Sequence, residues 1–199
     1  MAPSKWIAAV LAGYISGLAL AAPTSTSEFV KRANVDDSAT GFASQNGGTT
    51  GGAGGTTTTV SSYAAFTKAV SGGDAKVVVV SGTITKTADQ ARVGSNTSII
   101  GKNSDAILEN FGMFVTSSNV IIRNLGVKKV LVDNGDAIGI QYSNNVWVDH
   151  CDVTSDRDHD KDDYDGLIDI THASDYITVS NTFIHDHWKA SLIGLGQQR

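Results

Sequence analysis

The chain has 199 residues and a net charge of −5, and 41% of its residues are hydrophobic. This apolar content excludes a wholly disordered chain, and the acidic balance argues against a nucleic-acid-binding protein. The single cysteine, Cys151, excludes an intrachain disulfide and a zinc site built from cysteines.

The N-terminus predicts a secretory signal peptide over residues 1–21. Lys5 gives a positive start, residues 6–20 are apolar and uncharged, and Ala19-Leu20-Ala21 is a cleavage site of small residues. The alternative is a membrane anchor, but a span needs about 20 apolar residues and this run is shorter. We therefore expect a secreted, extracellular protein with no membrane segment.

A short propeptide is predicted next, over residues 22–32. This stretch is polar and ends in Lys31-Arg32, a dibasic pair that resembles a propeptide-processing site. The mature domain is therefore expected to cover residues 33–199.

Residues 41–59 are rich in glycine and threonine. A flexible linker and a phosphate-binding loop are both possible, but the lysine and hydroxyl pair of a phosphate-binding loop is missing. We interpret the segment as a surface turn region. The stretch from Ser61-Ser62-Tyr63 to Val70 then has a cap residue and apolar positions at 65, 66, 69 and 70, which predicts one short amphipathic helix.

Downstream of this helix, valine and isoleucine far outnumber leucine, which favours strands. Each predicted strand is short and follows a polar turn. The segments are 76–80, 98–100, 120–122, 146–148 and 177–179. A β-sandwich is the alternative, but its hairpin dipeptides and its regular strand spacing are missing.

The predicted strands repeat along the chain. The aligned apolar positions, which are 22, 26 and 31 residues apart, are Ile100, Ile122, Val148 and Val179. Polar residues superimpose two positions after the last three of them, at Asn124, His150 and Asn181. One short strand per repeat cannot bury a core alone, so the repeats must stack. The predicted fold is all-β, a parallel β-helix with ladders of polar side chains between coils.

Acidic residues cluster in the second half of the chain. Twelve of the 20 lie between Asp133 and Asp175, where the only basic residues are Arg157 and Lys161. Such clusters are stabilised by a cation or by solvent.

Three of these carboxylates form the candidate metal site. Asp165 and Asp169 are an even number of residues apart, so a strand would place both, with Leu167 between them, on one face. Asp136 precedes the previous predicted strand. Stacked coils would bring the three together as oxygen ligands suited to Ca²⁺.

Two other metal sites have partial support in the sequence. Asp158, Asp160, Asp162 and Asp169 have the spacing of an EF-hand loop, but its glycine and flanking helices are missing. His185 and His187 could share a strand face and bind zinc, but no third ligand has a fixed spacing to them. We therefore expect ordinary hydrogen-bonded histidines.

Four further residues have candidate roles. Trp147 and Trp188 could stack on sugars, although such aromatics are more often packed. Lys189 is a candidate for binding an acidic substrate. Asn96 begins a glycosylation sequon at a predicted turn.

Three segments together resemble secreted fungal members of the pectate lyase family. They are residues 145–152 (NVWVDHCD), residues 165–171 (DGLIDIT) and residues 185–189 (HDHWK). The combination of the first two in this order is highly specific, and the similarity extends from about Gly41 to Gly194.

The resemblance implies a right-handed parallel β-helix and calcium-dependent cleavage of polygalacturonate, or pectin, by β-elimination. It implies that Asp136, Asp165 and Asp169 are calcium ligands, and that Lys189 binds a substrate carboxylate. A fourth ligand position of the family falls on Asn134. We expect a monomer that degrades extracellular pectin.

The sequence departs from the family at its C-terminal end. The family uses an arginine base in an Arg-x-Pro-x-x-Arg block, and Arg199 does not lie in such a block. The chain is therefore expected to be an N-terminal portion that lacks the catalytic arginine, is incomplete at the C-terminal end of the solenoid, and is inactive on its own. The alternatives are a non-catalytic, calcium-dependent pectin-binding protein and a galacturonan hydrolase.

Overall fold

The computed structural model describes residues 37–194. The predicted signal peptide (residues 1–21), the predicted propeptide (residues 22–32) and the sequence after Gly194 lie outside the described residues. In the described part of the chain, no helix has the length and apolar character needed to cross a bilayer.

Between residues 37 and 194 the chain forms short strands, one α-helix and two 3₁₀ helices. The strands are β1 (Thr56–Val60), β2 (Lys76–Val80), β3 (Thr83–Thr85), β4 (Ala91–Val93), β5 (Thr97–Gly101), β6 (Ile107–Glu109), β7 (Met113–Val115), β8 (Val120–Arg123), β9 (Gly126–Lys128), β10 (Ile138–Gln141), β11 (Asn144–Asp149), β12 (Asp152–Thr154), β13 (Ile168–Thr171), β14 (Asp175–Ser180), β15 (Phe183–His185) and β16 (Ser191–Ile193). The helix α1 covers Tyr63–Val70, and the 3₁₀ helices cover Gly41–Ser44 and Val132–Asn134.

The strands pair in parallel in three sheets, and from β2 onward each coil contributes one strand to each sheet. The first sheet has the order β1-β2-β5-β8-β11-β14, the second β3-β6-β9-β12-β15, and the third β4-β7-β10-β13-β16. The molecule is a right-handed parallel β-helix, which confirms the predicted fold class. The helix α1 begins after Ser62, whose hydroxyl accepts a hydrogen bond from the backbone N–H of Ala65.

The core lies inside the coils and is built from stacked aliphatic side chains. Val78, Ile99, Ile122 and Val148 form one line across the first sheet, and each is at most 1% exposed. Burial of each such side chain stabilises the fold by about 1.5–3 kcal/mol. A coil acquires this stabilisation only when its neighbours cover it, so the repeats fold as a stack.

The predicted alignment of Ile100 with Ile122 is wrong by one residue, because Ile99 pairs with Ile122. Side chains alternate along a strand, so Ile99, which belongs to the core cluster, points inward and Ile100, which does not, points to the outer face. Because Ile99 and Ile100 are adjacent and identical, the sequence alone does not show which of them faces the core. The alignment of Ile122, Val148 and Val179 is confirmed.

The recurring polar positions mark the turns that end the strands of the first sheet. Asn124, His150 and Asn181 have left-handed backbones, with φ of 54°, 50° and 46°. The backbone N–H of Asn124 donates to the carbonyl of Asp149, and that of His150 donates to the carbonyl of Ser180. Asparagine and histidine enter this conformation more readily than most residues.

A side-chain ladder between coils is found where the strands of the first sheet begin. Asn96, Asn119 and Asn145 have φ of 53°, 62° and 57°. The amide of Asn119 donates to Oδ1 of Asn96 at 2.9 Å. Its Oδ1 accepts hydrogen bonds from the backbone N–H groups of Thr50 and Gly51, at 2.7 and 2.8 Å.

The interpretation of residues 41–59 as a surface turn region is only partly right, because the segment also contains β1. The turns before β1 pack against the first sheet. A Cβ at Gly52 would lie 1.8 Å from the carbonyl oxygen of Lys76, so glycine is required for this close approach. The sequence does not reveal this strand, because four adjacent threonines show no alternation of polar and apolar residues. All four are exposed in the structure.

Replacing Asn119 with alanine is expected to lower the free energy of unfolding by about 3 kcal/mol. The change removes the hydrogen bonds to two coils and leaves alanine in a left-handed conformation. Chemical denaturation measures the loss. Asn103→Ala is the control, because its exposed amide contacts only the neighbouring Asp105. Equal losses for the two variants would contradict the structural role of Asn119.

Candidate active site

The three predicted carboxylates meet at the outer face of the third sheet. Asp169 lies in β13 and points outward, while Asp136 and Asp165 lie in the turns that lead into β10 and β13. The backbone N–H of Gly166 donates to Oδ1 of Asp136 at 3.1 Å, which joins the two turns. The sequence predicted this meeting because stacked coils place equivalent turns side by side.

The predicted orientation of Leu167 is wrong. Its side chain is 3% exposed and belongs to the core. The strand β13 begins only at Ile168, so the alternation of faces does not extend back to Asp165. The turn, rather than the strand period, brings Asp165 to the same surface as Asp169.

The carboxylates repel one another. The pKa of Asp136 is raised to about 7, first by burial and then by the negative charges of Asp169 and Asp165. Burial also raises the pKa of Asp169, and the charge of Asp165 adds to it, against a hydrogen bond from the backbone N–H of Leu192. This repulsion is the condition that a divalent cation relieves.

Glycines leave open space beside these carboxylates. A Cβ at Gly166 would lie 2.4 Å from Oδ1 of Asp169, and one at Gly139 would lie 3.0 Å from Oδ2 of Asp136. The space and the hard oxygen donors fit Ca²⁺. Among residues 37–194, however, no group of three or more His, Cys, Asp or Glu side chains already has the arrangement of a metal site. Binding therefore requires the carboxylates to move toward the ion.

Lys189 lies beside the same cluster. Its Nζ is 3.6 Å from Oδ1 of Asp165 and 3.8 Å from Oδ1 of Asp162, and the side chain is 37% exposed. At these distances the ammonium balances part of the negative charge. It also remains accessible to an anionic ligand.

The alternative metal sites do not form. Asp158, Asp160 and Asp162 of the EF-hand pattern lie between strands β12 and β13, and Asp169 lies within β13, so strands rather than helices flank the segment. Asp156 instead organises this segment: it accepts hydrogen bonds from His159 and Tyr164, and the bond from His159 holds its pKa well below the usual range.

The two histidines of the zinc hypothesis have hydrogen-bond partners. Nε2 of His185 is 2.8 Å from Oδ1 of Asp152, and Nδ1 of His187 contacts the hydroxyl of Ser155. His187 also lies beyond the end of β15, so the two rings do not share a strand face.

The two tryptophans differ in exposure. Trp147 is 2% exposed and lies under the guanidinium of Arg123, which is 4.4 Å from its ring centre. It therefore cannot stack on a sugar. Trp188 is 55% exposed and its indole N–H donates to the carbonyl of His159.

A buried ion pair was missed by the sequence analysis. Arg123 and Asp149 are each 1% exposed, and the distance between Nη2 and Oδ2 is 2.9 Å. Ser180, His150 and Asn181 also hydrogen-bond Asp149; burial alone would raise its pKa, but these bonds lower it. The only sequence signal was a basic residue at the end of an apolar strand.

The predicted glycosylation residue is held within the fold. The amide of Asn96 donates to the carbonyl of Gly73 at 2.8 Å, and its oxygen accepts from Asn119. A glycan attached to the Asn96 amide would have to fit beside its hydrogen bond to the carbonyl of Gly73. Glycosylation of Asn96 stays a prediction, which the mass of the sequon-bearing peptide from secreted protein tests.

The sequence pattern described as pectate lyase matches residues 5–198. The chain belongs to the pectate lyase family. It is 75% identical to pectate lyase A of Aspergillus niger over 191 residues, and this alignment covers 96% of this chain and 59% of that protein. It is 68% identical over 184 residues to pectate lyase A of Emericella nidulans, covering 89% and 56%. The chain thus spans less than two thirds of the length of these pectate lyases.

Solved pectate lyases have the same fold. A structure from a study of substrate specificity and anti β-elimination in a pectate lyase superposes with a TM-score of 0.72 at 19% identity, covering 83% of this chain and 62% of that one. A Bacillus pectate lyase in complex with trigalacturonate superposes with a TM-score of 0.69 at 30% identity, covering 80% and 56%. The fold and the pectate lyase family are therefore established together.

In this pectate lyase family member, Asp136→Asn is expected to raise the free energy of unfolding by about 1 kcal/mol in the presence of a chelator, because it removes one of three mutually repelling charges. The folded-state pKa lies above the unfolded value of about 4. Ionisation of the Asp136 carboxylate therefore destabilises the folded state above about pH 4. The gain is expected to be complete above about pH 7 and to vanish below about pH 4.

Chemical denaturation at a series of pH values measures this effect. The control is Asp133→Asn, because the Asp133 carboxylate is exposed in the 3₁₀ helix Val132–Asn134. A loss of stability in Asp136→Asn at pH 8 would contradict the repulsion.

Proposed function

We propose that this protein acts in the calcium-dependent, eliminative cleavage of polygalacturonate outside the cell. The observation that carries the proposal is the meeting of Asp136, Asp165, Asp169 and Lys189 on one outer face of the β-helix. The relatives named pectate lyase A and the trigalacturonate complex of a similar structure support it. We also propose that the protein is secreted and monomeric.

The elimination removes the proton at C5 of a uronate, next to its carboxylate. Calcium bound at this site would neutralise the substrate carboxylate and withdraw electron density from C5. Asp136, Asp165 and Asp169 would hold the ion, and their combined charge favours a divalent cation over a monovalent one. Lys189 would bind the uronate carboxylate and stabilise the charge that develops as the C5 proton leaves.

The base that takes the C5 proton is expected, by family resemblance, to be an arginine in an Arg-x-Pro-x-x-Arg block, which the 199 residues do not contain. Within residues 37–194, the basic side chain paired with these carboxylates is Lys189, and no arginine pairs with them. This observation favours a second candidate function for the chain by itself, which is calcium-dependent binding of pectate without turnover.

Two measurements separate these functions. Calorimetry with polygalacturonate and calcium detects binding, and the absorbance of unsaturated uronate ends detects elimination. We expect binding by the 199-residue chain, and absorbance only from a chimera that adds the C-terminal part of pectate lyase A from Aspergillus niger. Absorbance from neither protein would contradict the assigned lyase activity, and absence of binding would contradict both functions.

A further inference from the structure

His187 lies against the segments that carry two residues of the candidate active site. It follows β15 in the segment that leads to Lys189, and the backbone N–H of Leu167 donates to the carbonyl of Lys189 at 3.3 Å. This segment therefore runs beside the turn that carries Asp165. Burial lowers the pKa of His187, and the nearby backbone carbonyl of Asp165 raises it. The ring thus lies next to the turn that presents a candidate calcium ligand.

A hydrogen bond fixes the orientation of the ring. Nδ1 of His187 contacts the hydroxyl of Ser155, which is 8% exposed and lies just beyond the end of β12. The same hydroxyl lies 3.2 Å from the carbonyl oxygen of Asp186. Nε2 of His187 is buried and forms no hydrogen bond within residues 37–194. The contact with Ser155 is therefore the bond that sets how the ring is turned.

Tyr164, the residue before Asp165, belongs to the same group of side chains. The ring centres of Tyr164 and His187 are 6.3 Å apart, and Tyr164 is 5% exposed. The hydroxyl of Tyr164 donates to Oδ2 of Asp156 at 2.8 Å, next to Ser155. The end of β12, the turn of Asp165 and the segment after β15 are thus joined around the ring of His187.

A residue in this place can act on calcium binding without touching the ion. Groups that hold metal ligands from behind fix the orientation of those ligands, and their loss typically weakens metal binding 10–100-fold. His187 contacts Ser155 through Nδ1 and lies near the backbone of Asp165, so the carboxylate of Asp165 keeps its oxygens for the ion.

The same anchor acts on the lysine of the site. Lys189 is two residues after His187, and its Nζ is 3.6 Å from Oδ1 of Asp165. A rotation of the segment around His187 would therefore change the distance between the ammonium and the carboxylate. One hydrogen bond thus contributes to the placement of both the cation ligand and the ammonium group.

We propose that His187 is a positioning residue of the candidate active site, and that its hydrogen bond to Ser155 holds the turn of Asp165 and the segment of Lys189 in the arrangement that binds calcium. The proposal rests on the proposed function, because it assigns a role at the same calcium site. Its consequence is specific: the hydrogen bond of the ring, rather than the volume of the ring, sets the calcium affinity.

Calorimetric titration with calcium compares two variants of His187. His187→Phe keeps a ring of similar size but lacks the nitrogen that bonds Ser155, and it is expected to weaken calcium binding about tenfold. His187→Asn fills less space but places an amide group near the position of Nδ1, so we expect calcium binding within about threefold of the wild type. A role of the ring in packing alone would give the opposite order.

His172→Phe is the matched control. His172 follows the other end of β13, where its ring contacts Tyr142 and the hydroxyl of Thr171. This variant is expected to bind calcium as tightly as the wild type does. Thermal unfolding in a chelator shows whether each variant is folded.

Ser155→Ala removes the same hydrogen bond from its other partner. This variant is also expected to weaken calcium binding about tenfold. Because both substitutions break one bond, the double variant Ser155→Ala/His187→Phe is expected to bind calcium no more weakly than either single variant.

A calcium affinity of His187→Phe equal to that of the wild type would overturn the positioning role and leave the proposed function intact. Weaker binding by His187→Asn than by His187→Phe would also overturn it, since the volume of the ring would then decide. Losses that add in the double variant would contradict the link through Ser155. Failure of the wild-type chain to bind calcium would overturn the proposed function together with the positioning role.

Discussion

Asp165→Ala is expected to weaken calcium binding about a hundredfold or more. The variant removes one of the three charged oxygen ligands that would attract and hold the cation. Binding of polygalacturonate should fall with it, because the ion is expected to connect protein and substrate carboxylates. Calorimetric titration with calcium, first alone and then with the polymer, measures both losses.

Asp105→Ala is the matched control for this prediction. Asp105 is an exposed residue in the turn after β5, and its side-chain oxygens accept hydrogen bonds from the neighbouring residues Asn103 and Ser104. The Asp105→Ala variant should bind calcium and polymer as tightly as the wild type does. A calcium affinity for Asp165→Ala within threefold of the wild type would show that the ion binds elsewhere.

Asp149→Ala is expected to lower the free energy of unfolding by about 4 kcal/mol. It leaves the buried guanidinium of Arg123 without its nearest carboxylate, and loss of one partner from a buried ion pair typically costs 3–5 kcal/mol. It also removes the acceptor for the hydroxyl of Ser180, at 2.7 Å, and for the amide of Asn181, at 3.1 Å. Urea denaturation gives the free energy and its slope.

The comparison variant is Asp162→Ala. Asp162 is 65% exposed, pairs with the exposed Lys161, and lies 3.8 Å from Nζ of Lys189. Exposed pairs of this kind contribute about 0–1 kcal/mol. Equal losses of unfolding free energy in the two variants would show that the buried Arg123–Asp149 pair stabilises the fold no more than an exposed pair does.

The repeats could be predicted from the sequence because each coil contributes to the first sheet a strand of four to six residues with aliphatic positions. The strands of the other two sheets are mostly three residues long, and β4, β6 and β9 are examples that no periodicity could identify. Their existence follows from the stacking of the first sheet, which forces the intervening chain to run around the core.

The candidate site was predictable only in part. Asp165 was paired with Asp169 by an even spacing on one strand, although β13 begins only at Ile168, and Asp136 was found because it precedes the previous predicted strand. Lys189 was singled out beside Trp188, and the family resemblance implied its substrate-binding role.

The most direct test of the account is a crystal structure of the protein grown with calcium, in which anomalous scattering locates the ion. We expect one ion on the outer face of the third sheet, at about 2.4 Å from carboxylate oxygens of Asp136, Asp165 and Asp169. An ion bound away from these three residues, or no ion at a calcium concentration that supports polymer binding, would contradict it.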